Sequence, residues 1–223
     1  MNRPPFADRR AAGRALAAAF AGRPLAPPVV VLALPRGGVP VAAELARTLR
    51  APLELLVVRK IGAPGQPEFA VAAIAEGDPP ELVVDEPTRV GLGLERGWIE
   101  ARAAQERPGL VARRARYAGG RTPVPLAGAT AIVVDDGIAT GTTLRAALRA
   151  LRRRSPARVV LAVPVAPRDT LEALRAEVDD VICLDTPEPF DAVGRHYADF
   201  RQVEDAEVIA ALAEAAAAAP GPG

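Results

Sequence analysis

Two adjacent carboxylates, Asp135 and Asp136, sit in the stretch "AIVVDDGIATGTTLRAAL" (Ala131–Leu148) between an apolar run and a glycine- and threonine-rich turn. Side by side the acids repel each other, and burial adds to the cost, so fold stability alone does not account for them. The turn Ala139–Thr143 leads into a helical pattern. It offers backbone N–H groups, a positive helix end and the hydroxyls of Thr140, Thr142 and Thr143, which together make an anion site. Carboxylates accept hydrogen bonds and suit a vicinal diol, each charge-assisted bond contributing about 1.5–3 kcal/mol. A diol beside a phosphate describes a ribose 5-phosphate. Rival phosphate motifs fit poorly: there is no G-x-x-x-x-G-K-[ST], and no G-x-G-x-x-G follows a strand. A polar turn capped by Thr142 explains one threonine and neither acid.

The surrounding elements must hold this pair in place. "FADRRAAGRALAAAF" predicts an opening helix with Asp8 near its first turn. The continuous apolar run Pro28–Leu34 predicts a strand buried on both faces, followed by two glycines and a helix in "PRGGVPVAAELARTLR". Leu53–Lys60 predicts a second strand, and "IGAPGQPE" a loop by its glycine and proline content. "FAVAAIAEG" and "ELVVDEP" are two short strand candidates that could form a hairpin turning at Gly77–Pro80. Residues 93–120 read as helical, with Pro108 expected to break or kink the helix. Then come strand Ala129–Val134, helix Thr142–Arg153, strand Arg158–Pro164, helix Arg168–Ala176, strand Asp180–Leu184, a loop segment and a terminal helix opened by acids. This alternation predicts an α/β fold, a mainly parallel sheet flanked by helices. The tail Pro220–Gly223 is expected to fray.

Composition narrows the function classes. The 223 residues allow one sizeable core, and no repeat or linker divides them, so one domain over 1–223 is expected. A net charge of +1 gives no support to a nucleic-acid grip. The clusters Arg113–Arg114–Arg116 and Arg152–Arg153–Arg154 read as solvated faces or favourable helix C-termini. The single cysteine, Cys183, lies in an apolar run and reads as an inert buried thiol in a reducing compartment. The opening "MNRPPFADRR" has no apolar signal core and no apolar run is long enough to span a bilayer, so a cytoplasmic protein without membrane partners is expected.

The ordered run "IVVDDGIATGTT" closely resembles the phosphoribosyl-pyrophosphate (PRPP) motif of type I phosphoribosyltransferases. The resemblance covers roughly Val29–Phe200, and the whole chain is similar to a bacterial subgroup of that family whose substrate is unassigned. It implies that Asp135 and Asp136 bind the ribose hydroxyls and that Gly137, Ala139, Thr140, Gly141, Thr142 and Thr143 wrap the 5-phosphate. Gly137 departs from the pattern, which more often has an aliphatic residue. "ALPRGGVPVA" resembles the pyrophosphate loop, placing Arg36, Gly37 and Gly38 at the pyrophosphate and implying a cis peptide between Pro35 and Arg36. "RKIGAPGQPEFAVAAIAEGD" lies where the family carries a mobile loop, so Ile61–Gly77 is expected to move. Arg59, Lys60 or both would neutralise the leaving group, and a plain surface charge explains either alone equally well.

The catalytic set implied is Arg36, Lys60, Asp135 and Asp136. The implied reaction displaces pyrophosphate from PRPP by a nitrogenous base, with Mg²⁺ held by PRPP oxygens and water and no direct protein ligand. The fold implied is a core over about 25–185 with a hood over about 186–203 joined by the terminal helices; a homodimer is compatible with it. "PEPFDAVGRHYADF" falls at the hood over the base, where Phe190, Val193 and Tyr197, with His196 and Phe200, could contact a nucleobase-like acceptor. A small apolar core of the hood explains each of these singly. Hypoxanthine-guanine enzymes carry an acid where Ala139 stands and a lysine near Ala166, so a 6-oxopurine acceptor is not expected. Two other classes remain: a non-catalytic regulator that binds PRPP, and a hydrolase of phosphoribosyl compounds, for which no poised nucleophile or metal-ligand cluster is evident.

Overall fold

In the computed structural model, which describes residues 5–218 apart from 78 and 120, five stretches rich in Val, Ile, Leu and Ala form a parallel sheet. Its strands are β1 (Val29–Ala33), β2 (Leu53–Leu55), β6 (Thr130–Val134), β7 (Arg158–Val165) and β8 (Asp180–Asp185). Their order is β2-β1-β6-β7-β8, every pairing parallel. All five β6 residues are buried, as expected of a central strand with both faces covered. Helix α1 (Arg9–Ala18) begins at Asp8, whose side chain accepts from the Ala11 N–H, and buries Ala12, Leu16 and Ala17 on one face. Helix α2 (Gly38–Leu49), which buries Val41, Ala42 and Leu45, packs against α1.

Contacts separate the chain into two compact units, where the sequence pattern suggests one domain. The first contains the parallel sheet: residues up to Leu55, then Thr122–Thr140, then the chain from Arg154 onward, including α6 (Arg168–Leu174) and α7 (Asp205–Ala218). The second runs from Leu56 to Arg121 and from Gly141 to Arg153. It holds an antiparallel sheet of β3 (Val58–Ala63), β4 (Gln66–Ala75) and β5 (Glu81–Val84), with α3 (Glu86–Gly91), α4 (Arg96–Ala118) and α5 (Thr142–Arg152).

The structure corrects three expectations. The strand expected over Leu53–Lys60 is two strands in different sheets, because the chain leaves the first unit after Leu55. The expected loop "IGAPGQPE" is mostly strand; only Pro64–Gly65 turn, and β3 pairs with β4 from Val58↔Ala75 to Ala63↔Gln66. Burial decides this: Ile61, Val71, Ala72 and Ile74 form a core with Ile99 and Ala103, which outweighs the local glycine and proline content. Of the break or kink expected at Pro108, the break does not occur, and α4 runs through it. Ile99, Ala103, Leu110 and Tyr117, all buried, form one stripe that holds both halves of the helix across the lost backbone hydrogen bond. The hairpin between β4 and β5 forms as expected. The tail 219–223 lies outside the described residues.

No described helix is long and apolar enough to cross a membrane.

Candidate active site

The topology by itself points to one place. From β1 the sheet grows to β2 on one side, and from β6 to β7 and β8 on the other. Ligands in open parallel sheets bind at such a reversal, beyond the carboxyl ends of the strands. Register Ala33↔Val134 aligns those ends, so Pro35–Gly38 and Asp135–Gly137 leave the sheet next to each other. The peptide between Pro35 and Arg36 is cis, as the resemblance implies.

The two loops touch through their glycines. A Cβ built on Gly37 would overlap Asp136 Oδ2, and one on Gly38 would lie 2.9 Å from Asp135 Cα. Both approaches are closer than real side chains adopt, so only glycine lets the acids seat here. The sequence reading gives these glycines to pyrophosphate approach; in the structure they first of all admit the acids. Gly137 has a similar explanation. A Cβ there would meet Val193 Cγ1 at 2.5 Å, so a hood valine fills the space that the usual aliphatic residue would need.

Electrostatically the pair is short of positive charge. Burial, with Asp136 charged beside it, raises the Asp135 carboxyl well above the usual aspartate range. Burial raises Asp136 too, opposed by the guanidinium of Arg9. Arg9 Nε donates to Asp136 Oδ2 at 2.7 Å, and the two side chains are only 10% and 13% exposed. Asp135 Oδ1 accepts from the Asp136 N–H at 2.9 Å. Arg36 lies 3.4 Å from Asp205 at the start of α7. Helices α2 and α5 both open on a glycine, Gly37 and Gly141, with no side-chain cap at either; at α2 the Gly38 and Val39 N–H groups donate to the Leu34 and Arg36 carbonyls at 3.1 and 3.2 Å. Thr142 is buried and Thr143 half-buried at the start of α5, while Ala139 and Thr140 are exposed.

The hood candidates divide. Tyr197 is buried between Phe6 and Phe200, with ring centroids at 5.6 and 5.1 Å, and its hydroxyl donates to the backbone oxygen of Asp136. Val193 packs with that group and against Gly137. Phe190 instead stacks on His196 at 5.3 Å and lines an open cleft of about 950 Å³. Ala139, Thr140, Arg168, Asp169 and Thr186 share that cleft, and the Thr170 hydroxyl donates to the Ala139 carbonyl at 2.9 Å. It lies beyond the carboxyl ends of β6, β7 and β8. Lys60 is exposed on β3 in the second unit, and its neighbour Arg59 is held by Glu106 at 2.6 Å. Among the described residues, no cluster of three or more His, Cys, Asp or Glu could hold a metal ion.

Sequence reasoning missed Arg9 and the positioning contact of Tyr197. Their partners are 127 and 61 residues away, and no local pattern marks either.

A mainly parallel sheet flanked by helices, with an adjacent acid pair and a glycine loop at its switch point, defines a phosphoribosyltransferase-type fold. The comparisons agree: the phosphoribosyl transferase domain family matches residues 10–198, and the chain belongs to it. It is 46% identical over 210 residues to "Putative phosphoribosyl transferase Rv0571c" of Mycobacterium tuberculosis strain H37Rv, covering 93% of this chain and 46% of that protein. The corresponding protein of strain CDC 1551 matches to the same extent, so the chain spans about half the length of these curated relatives. The crystal structure of TT1426 from Thermus thermophilus superposes with a TM-score of 0.78 at 44% identity, covering 94% of this chain and 98% of that one. The AQ2163 protein of Aquifex aeolicus, at 14% identity and a TM-score of 0.50 over 83% of this chain and 78% of its own, shares the fold.

Proposed function

We propose that the chain transfers the phosphoribosyl group of PRPP to a nitrogenous base and releases pyrophosphate. The observation that carries this reading is the seating of Asp135 and Asp136 against the Gly37–Gly38 loop, which sets an adjacent acid pair beside the loop that carries Arg36. In this reading the two carboxylates accept the ribose hydroxyls. Residues 137–143 hold the 5-phosphate through backbone N–H groups and the hydroxyls of Thr140 and Thr143. Arg36 and the N–H groups of its loop take the pyrophosphate. The C1–O bond to pyrophosphate breaks with its electron pair leaving on oxygen, the ring nitrogen bonds C1, and that nitrogen loses its proton. Family membership over residues 10–198 supports assigning both units to this one function.

Mg²⁺ fits the donor set. The buried carboxyls are pushed up by burial and answered by the one guanidinium of Arg9, so the site favours a ligand that brings positive charge. Held by oxygens of PRPP and by water, the ion would stabilise the departing charge. The acceptor lies in the cleft lined by Phe190. Exposed Ala139 and fully buried Ala166 supply no charge there, which supports an acceptor other than a 6-oxopurine.

The test is pyrophosphate release from PRPP and Mg²⁺ with a panel of purines, pyrimidines and analogues. At least one base should support release. Arg36→Ala should lower turnover by roughly a hundredfold, and more than binding, because leaving-group charge grows in the transition state. Tight PRPP binding with no productive base would replace the transferase reading with a PRPP-binding regulator.

A further inference from the structure

Arg9 differs from the other arginines of its helix. Arg10 and Arg14 are 62% and 57% exposed, whereas Arg9 is 10% exposed and engaged on three sides. Its Nε donates to Asp136, its Nη1 donates to the Arg201 carbonyl at 2.8 Å, and its guanidinium carbon stands 3.8 Å from the centre of the Phe200 ring. The segment before it is zipped to the hood. The Phe6 N–H donates to His196 O at 2.8 Å, and Phe6 O and Ala7 O accept from Ala198 and Asp199 at 2.7 and 2.9 Å. Asp8 then caps α1, so Arg9 enters the helix in a fixed direction.

A nearly buried ion pair is a poor device for stability, since desolvation offsets most of its attraction. Its value lies in what it does to Asp136. We propose that Arg9 is a positioning residue of the site: from outside the recognised motifs, its guanidinium aims the Asp136 carboxyl and supplies its counter-charge, so that the acid can accept a ribose hydroxyl. The inference rests on the phosphoribosyl reading. The titratable and charged groups facing Asp136 are Arg9 from α1, Asp135 beside it and the Tyr197 phenol from the hood. Among them Arg9 is the counter-charge, and Asp135 opposes ionisation.

The experiment uses the full chain as wild type, Arg9→Met and Arg9→Lys. Aspartate carboxyl titrations are followed by ¹³C NMR with Asp136→Asn for assignment, and PRPP·Mg binding is followed by calorimetry at two pH values. In Arg9→Met the Asp136 midpoint should rise by about one unit or more, the scale of losing a close opposite charge. PRPP should bind about tenfold or more weakly at pH 7, with a larger deficit at pH 6, and Arg9→Lys should recover most of both. An Arg9→Met protein that titrates and binds as wild type overturns the proposal. Should Arg9→Met not fold, Arg9→Gln carries the test, because removing the charge must still raise the Asp136 midpoint and weaken PRPP binding, and wild-type behaviour of that variant overturns the proposal. A wild type that does not bind PRPP, combined with a raised Asp136 midpoint in Arg9→Met, removes the phosphoribosyl reading and leaves Arg9's hold on Asp136 intact.

Discussion

The carboxyl end of β6 and the β3–β4 hairpin both join a buried strand to a glycine-containing turn, yet they treat charge in opposite ways. Around the hairpin, charges are matched near the surface: Arg59 with Glu106 and Arg153 with Glu81, each at 2.6 Å. Beneath them Ile61, Val71 and Ile74 supply burial. After β6, two adjacent half-buried carboxyls face one guanidinium, and Gly37 leaves the room that a side chain there would take from Asp136. Charge that the fold does not need and only partly compensates marks the chemistry. Charge that is matched marks structure.

That contrast is sharpest in a pair of substitutions with opposite signatures. Asp135→Asn with Asp136→Asn should weaken PRPP by about a thousandfold, the loss of two charge-assisted bonds of about 1.5–3 kcal/mol each. Thermal stability should hold or rise, and micromolar binding by the folded double variant would break the comparison. Ile74→Ala should do the reverse. Ile74 is fully buried in the hairpin core, so denaturant unfolding should show a loss of about 2–5 kcal/mol, while the folded fraction binds PRPP normally.

A smaller effect appears in stability against pH. The folded carboxyl of Asp135 titrates above its unfolded value of about 3.9, so the folded state binds the extra proton. Its contribution is therefore complete in acid and is lost as pH rises through the raised value. Asp135→Asn escapes that loss. Its melting temperature should exceed wild type by a few degrees at pH 7 and match it near pH 4; an equal difference at both would show that the acid is not destabilised by burial.

The smallest effect concerns motion. Val71–Ala75 are buried in the hairpin core, whereas Pro64–Pro67 at the tip are exposed, so the motion expected of Ile61–Gly77 should concentrate at the tip. Adding Mg²⁺ and PRPP should slow amide exchange at the tip several-fold and leave Val71–Ala75 unchanged, because opening free energy follows local burial. Uniform slowing across β3 and β4 would mean that the segment closes as one body.

Legibility in the sequence followed the range of the forces involved. Strand, acid pair, turn and helix lie within eighteen residues, so residue type, apolar run length and turn chemistry were enough to place Asp135, Asp136 and the glycine–threonine turn at a strand end. The parallel sheet followed from the alternation of elements. The hairpin was misread because glycine and proline report local backbone preference, while the strand is fixed by a core that α4 completes from some forty residues later. The helix continues through Pro108 for the same reason.

By itself, then, the sequence determined the parallel fold and the place of the acid pair at a strand end, since both are written in contiguous residues. Only the tertiary structure decided which groups tune that chemistry. Arg9 reaches Asp136, Tyr197 fixes its backbone, and Val193 fills the space beside Gly137. These are contacts of shape and charge between segments far apart in the chain, and no local propensity encodes them.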